Sequence, residues 1–152
     1  MKVSQVMTAP AVSVGPQVSL AEVIREMAVS AVGSVLVVED GLLRGIVTDR
    51  DLAVRGLGGG LDREARVDEV MSERVVTVDA DADLQVAYRT FSRTGVRRLP
   101  VLDGGCVVGV LTVDDLFLDV FQRLGDLLGP VAWSVLHEPP GPPSTVGAPH
   151  EL

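Results

Sequence analysis

The sequence predicts an α+β fold made of two tandem copies of one unit, each ordered strand, helix, strand, strand, helix. Three observations predict it. Residues 3–52 lie on residues 67–116 without a gap, a self-match at an offset of 64. Short Val-rich runs recur in a chain with only 3% aromatic residues, which favours strands around an aliphatic core. Asp-Gly turn signals separate paired runs in both halves. Val-on-Val matches arise partly by chance in such a chain. The coincidences Met7/Met71, Gly41/Gly105, Gly45/Gly109, Thr48/Thr112 and Asp51/Asp115 do not.

In the first copy, Ala11–Val14 reads as a short strand. Ser19 and Glu22 form a capping box ahead of a helix whose apolar face is Leu20, Val23, Ile24 and Met27. Ser34–Glu39 and Leu42–Val47 are strands joined at Asp40-Gly41, and Thr48 opens a helix through Arg55. In the second copy, Val75–Val78 is the short strand. Asp83 caps a helix carrying Leu84, Ala87, Tyr88 and Phe91. Arg98–Leu102 and Cys106–Leu111 pair through Asp103-Gly104-Gly105. A longer last helix starts near Thr112, carries an apolar stripe from Val113 to Leu128, and stops at Gly129-Pro130. The expected boundaries are 1–58 for the first repeat, 59–66 for a linker, 67–128 for the second repeat and 129–152 for a Pro-rich disordered tail.

Composition excludes several function classes. The hydrophobic fraction of 47% and charged fraction of 22% fit a globular chain. A net charge of −8 argues against nucleic acid or an anionic membrane as partner, because both need a basic face. One cysteine, Cys106, excludes an internal disulfide and a CxxC metal site. The two histidines, His137 and His150, lie in or beside the tail, which leaves no histidine for a triad or zincin motif. No metal site and no catalytic residue are assigned. Met1-Lys2-Val3-Ser4-Gln5 does not read as a signal peptide and no run approaches about 18 apolar residues, so the expected compartment is the cytoplasm.

The most informative stretch is Gly45-Ile46-Val47-Thr48-Asp49-Arg50-Asp51-Leu52, repeated as Gly109–Leu116. A strand runs into a helix with Thr at the junction and Asp three residues on. The hydroxyl and first-turn N–H groups can hold a phosphate. A carboxylate one turn into the helix can accept hydrogen bonds from a ribose diol. Thr-x-x-Asp is equally a sound helix cap, and one copy alone favours that simpler role. Two copies at equal spacing favour a binding site.

Both units resemble CBS domains, and the chain over about residues 1–120 resembles a CBS pair. The motifs are Val6-Met7-Thr8, Gly45–Leu52, Val96-Arg97-Arg98-Leu99-Pro100-Val101 and Gly109–Leu116. The Thr48–Asp62 run is similar to short stand-alone bacterial CBS-pair proteins of the hypoxic-response type. The resemblance implies tandem repeats packed about a pseudo-two-fold axis. It also implies two clefts for adenosine ligands such as AMP, ATP, NAD or S-adenosylmethionine, none of them an obligatory cofactor. One cleft would combine Thr48, Arg50 and Asp51 with Val76, Val96 and Arg97. The other would combine Thr112 and Asp115 with Thr8, Val12, Val32 and Gly33.

The two clefts differ in charge. Arg50 and Arg97 favour a phosphorylated ligand in the first, whereas the second carries Asp114 and Gly33 at those places. The simpler role for Arg97 and Arg98 is an ion pair with surface acids.

The other residues singled out read as structural. Cys106 is a small hydrophobe, Trp133 a cover for apolar surface, and Met7 and Met71 core plugs. The stripe Leu116, Phe117, Val120, Phe121 and Leu124 is expected to form a C2 homodimer helix. The function expected is a non-enzymatic regulatory sensor of an adenosine nucleotide, acting through an unknown effector protein. The alternative is a ligand-free interaction scaffold with vestigial clefts.

Overall fold

The computed structural model describes residues 1–137, with side chains through Val131. Residues Met1–Leu118 form one compact body. Its first repeat contains β1 (Ser13–Val14), α1 (Leu20–Ser30), β2 (Ser34–Glu39), β3 (Leu42–Thr48) and α2 (Asp49–Asp51). Its second contains β4 (Val78–Asp79), α3 (Leu84–Thr94), β5 (Arg98–Asp103), β6 (Cys106–Thr112) and the start of α4 (Val113–His137). The six strands form one sheet in the order β1-β2-β3-β6-β5-β4, which reads the same from either end and gives the expected pseudo-two-fold arrangement. Within the sheet, β3 and β6 pair at Leu42 with Cys106.

Local chemistry accounts for most element ends. The hairpins turn at Asp40-Gly41 and Gly104-Gly105, all four residues at positive φ. Helix α1 starts at Ser19, whose Oγ accepts from the Glu22 N–H at 3.3 Å. The Glu22 carboxylate takes no hydrogen bond among the described residues, so the expected box is half formed. Helix α3 starts at Asp83, whose Oδ1 accepts from the Gln85 N–H at 2.8 Å.

Three expected boundaries are corrected. The first strands shrink to Ser13–Val14 and Val78–Asp79, because only those residues pair, with Leu36–Val37 and Val101–Leu102. The helix after Thr48 makes one α turn and widens into a π-helix over Leu52–Leu57. Its wide-ring bonds, Gly58 N–H to Ala53 C=O at 2.9 Å and Leu61 N–H to Gly56 C=O at 3.0 Å, run through the glycine-rich stretch. Helix α4 does not stop at Gly129-Pro130 but continues to His137. Pro130 removes only one i→i−4 bond, and the helix resumes beyond it. The segment of α4 from Asp119 is held locally by an Arg123–Asp119 ion pair at 3.1 Å. Of the expected tail, residues 129–137 are helical, while 138–152 and the Trp133 side chain lie outside the described residues.

The cores are built by exchange. Val67 and Val70, from the start of the second repeat, are fully buried with Leu20, Val23, Met27, Val35 and Val47 of the first. Val3, from the start of the first repeat, is fully buried with Leu84, Ala87, Leu99 and Leu111 of the second. Backbone bonds mirror the swap. Leu20 N–H donates to Ala65 C=O and Leu84 N–H donates to Met1 C=O, each at 2.9 Å, satisfying first-turn donors of α1 and α3. Lys2 Nζ bonds Asp81 at 2.8 Å, which holds the Asp81 carboxyl below its ordinary range and the Lys2 ammonium above its own.

The exchanged segments cross the central strands at two glycines. A Cβ on Gly45 would meet the Ser72 carbonyl oxygen at 2.7 Å and the Met71 sulfur at 2.8 Å. A Cβ on Gly109 would meet the Thr8 carbonyl oxygen and the Met7 sulfur, both at 2.7 Å. Ile46 and Ser72 exchange backbone bonds across one crossing, and Thr8 and Val110 across the other. Met7 and Met71 are therefore plugs of the opposite repeat's core. Gly45→Ala and Gly109→Ala are each expected to cost about 2 kcal/mol, a fall in Tm of about 4–8 °C in a circular-dichroism melt. Gly125→Ala, in open space on α4, is expected to leave Tm unchanged or raise it.

Candidate functional site

The two Thr–Asp motifs adopt one geometry. Thr48 Oγ1 accepts from the Asp51 N–H at 3.1 Å, and the Thr48 N–H donates to Asp51 Oδ2 at 2.9 Å. Thr112 and Asp115 repeat this at 3.1 and 2.8 Å. The capping role is thus real in both copies. It leaves the second carboxylate oxygen of each half-buried Asp without a hydrogen bond among the described residues. The pair is pre-set, with its remaining acceptor available to a diol.

A cavity of about 280 Å³ opens at the second motif. It gathers Thr8, Val12, Val32, Gly33 and Thr112, five of the six residues grouped from sequence. Asp115 lies outside the lining, one turn further along α4. The exchange builds this cavity, since Thr8 reaches it only because its segment crosses β6 at Gly109. The walls are apolar, with Leu36, Ile46, Pro100 and Val110 from the central strands. Val32 and Gly33 arrive from the loop that follows the left-handed end of α1 at Ala31.

Arg98 supplies the charge. It lines the cavity, paired across the hairpin with Thr112. A Cβ at Gly33 would stand 3.9 Å from its Nη2 and 3.2 Å from Asp49 Oδ2, so a cation and an anion flank that glycine. Arg97 lies beside the second motif too. With Arg98, Thr112, Val113 and Asp114 it lines an adjoining recess of about 40 Å³. The ion pairs formed elsewhere include Arg44–Glu39 and Arg66–Asp68, but Arg97 and Arg98 form none among the described residues. The expected pairing with surface acids is not seen.

The other grouped residues are arranged differently. Arg50 and Val76 are exposed, Thr48 and Asp51 are half-buried at the β3–α2 junction, and Val96 packs against the core of the second repeat. Arg97, grouped with Thr48 from the resemblance, stands instead beside Thr112 and Asp114. Arg98 was missed as a cavity residue. The signal was the hairpin register, which sets it opposite Thr112. On α4, Phe117, Val120, Phe121 and Leu124 are exposed, but Leu116 is 5% exposed and belongs to the core, so it is not on the outward face. Cys106 is exposed at the β3–β6 seam. The described residues hold no cluster of three metal-ligating side chains, and no helix among them is long and apolar enough to cross a membrane.

Comparison with known proteins agrees with this architecture. The CBS domain profile matches residues 3–57 and 67–120. The chain is 32% identical over 136 residues to the CBS domain-containing protein YhcV of Bacillus subtilis, covering 90% of this chain and 96% of that protein. The crystal structure of Hypoxic Response Protein I with two coordinated zinc ions superposes with a TM-score of 0.70 at 30% identity, over 76% of this chain and 96% of that one. The CBS domain protein PAE2072 from Pyrobaculum aerophilum, complexed with AMP, superposes with a TM-score of 0.68 at 25% identity, over 76% and 90%.

Thr112→Ala removes the acceptor for the Asp115 N–H. It is expected to cost about 1 kcal/mol, lowering Tm by about 2–4 °C in a calorimetric scan, with Thr48→Ala behaving alike.

Proposed function

The chain belongs to the CBS-domain family, and from that premise we propose that it is a non-enzymatic regulatory module binding an adenosine-containing ligand in the cavity at Thr112. The observation that carries this reading is the cavity itself. It joins apolar walls fit for a flat base to a hydroxyl and a guanidinium that has no ion pair among the described residues. The free oxygen of Asp115, a turn away, is the group for a ribose diol. Arg98 and Arg97 favour an anionic tail, so a phosphorylated nucleoside suits the site better than a cationic one. AMP bound to the structural relative PAE2072 supports the same ligand class. The Thr48–Asp51 motif then acts first as a helix cap. The module works as a homodimer through the exposed face of α4, in the cytoplasm, and passes its signal to an effector protein.

Titration calorimetry with AMP, ATP, NAD and S-adenosylmethionine tests the reading. AMP is expected to bind, and at 100 times its Kd to raise Tm by about 5–10 °C. Arg98→Ala should weaken AMP about tenfold or more, and Asp115→Ala likewise, while Asp51→Ala leaves it unchanged. No heat from any ligand with folded protein contradicts the proposal, and loss only in Asp51→Ala moves the site to the other motif.

A further inference from the structure

The cavity at Thr112 continues past its apolar walls. Arg98 and Thr112 line it, and both also line the adjoining recess of about 40 Å³ with Arg97, Val113 and Asp114. The two spaces therefore share a wall, and a ligand in the larger one has a way into the smaller past a guanidinium and a hydroxyl. A single water needs about 10–15 Å³ of such space, so the recess has room for about three waters. That is the bulk of one phosphoryl group, not of a chain of them.

The charges of the recess are unequal. Arg97 and Arg98 bring two guanidiniums, and Asp114 brings one carboxylate. All three residues are exposed, and none forms an ion pair among the described residues. At the repeat offset, Arg97, Arg98 and Asp114 stand where the first repeat has Gly33, Ser34 and Arg50. The second repeat thus gathers two cations beside its motif and sets an acid among them.

We infer that the recess seats one phosphate and that Asp114 sets the limit at one, so that the site takes a nucleoside monophosphate in preference to a di- or triphosphate. This rests on the adenosine-ligand reading above and names its phosphate class. A phosphate monoester carries a charge of about −1.5 to −2 at neutral pH, which two guanidiniums balance. Each further phosphate adds negative charge, finds no third guanidinium in the recess, and is repelled by the carboxylate in its lining. The simpler role of Asp114 is an acid in the first turn of α4, which steadies the helix whatever the ligand. Only the limiting role makes Asp114 discriminate between nucleotides.

Adenosine, AMP, ADP and ATP are titrated calorimetrically into the whole chain, with EDTA present to keep the nucleotides free of metal. Asp114→Asn and Asp114→Ser are run beside it, each checked for folding by a circular-dichroism melt. AMP is expected to bind about tenfold or more tighter than adenosine, because its phosphate gains the two guanidiniums. It is also expected to bind about tenfold or more tighter than ATP, with ADP between, and both variants should narrow that preference about fivefold or more. ATP bound as tightly as AMP, or a preference that both variants leave in place, overturns the inference and leaves the adenosine-ligand reading standing. Adenosine bound as tightly as AMP does the same, since the recess then seats no phosphate. No binding of any of these ligands by folded protein overturns both.

Discussion

Everything in this fold depends on the reciprocal crossing of two short segments over two glycines. Val3–Met7 lies in the second repeat and Val67–Met71 in the first, and each crossing passes over a strand where a Cβ has no room. The constraint is steric before it is hydrophobic. Val3, Val67 and Val70 reach full burial only if Gly45 and Gly109 let the chain approach to hydrogen-bond distance. Neither repeat completes its core alone, and the N–H groups of Leu20 and Leu84, at the starts of α1 and α3, donate to backbone carbonyls of Ala65 and Met1. The two strand pairs at the centre of the sheet need little contact with each other, because the crossings hold the halves together.

The cavity is a by-product of the same crossing. Thr8 and Pro10 follow Met7 past Gly109 and become one wall, the α1–β2 loop becomes another, and the central strands form the floor. The cavity is walled by residues of both repeats, so a ligand seated there would touch both. Charge then separates the two motif sites. The repeat gives them the same Thr–Asp cap, but the second has Arg98 where the first has Ser34. In a chain of net charge −8, Arg97 and Arg98 stand beside the cavity without an ion pair among the described residues.

Much of this was legible in the sequence. Both long helices of the repeats, both hairpins and the Thr–Asp caps follow from local signals: Ser19 and Asp83, the Asp-Gly and Gly-Gly turns, and the helical spacing of apolar residues. The exchange was not legible, because the buried Val3 and Val67 are fixed by tertiary contacts that no local pattern encodes. Its trace was present in the paired identities of Met7 with Met71 and Gly45 with Gly109, which acquire a meaning only once the crossings are seen. The π-helix was missed because glycine permits wide turns without specifying them. Helix α4 passes Pro130 because a single lost bond does not end a long helix. Family likeness groups Arg97 with Thr48, whereas Arg97, just ahead of β5, accepts from the Val113 N–H at 3.1 Å and lines the recess at Thr112.

The proposed ligand cavity lies at the Thr112 motif and is walled by both repeats. Titrating AMP into isotopically labelled protein, and following backbone amide shifts by NMR, tests it most directly. Saturable shifts are expected at Val12, Val32, Gly33, Arg98 and Thr112 together, from two repeats at once. Shifts confined to residues 48–51, or none at millimolar AMP, would contradict it.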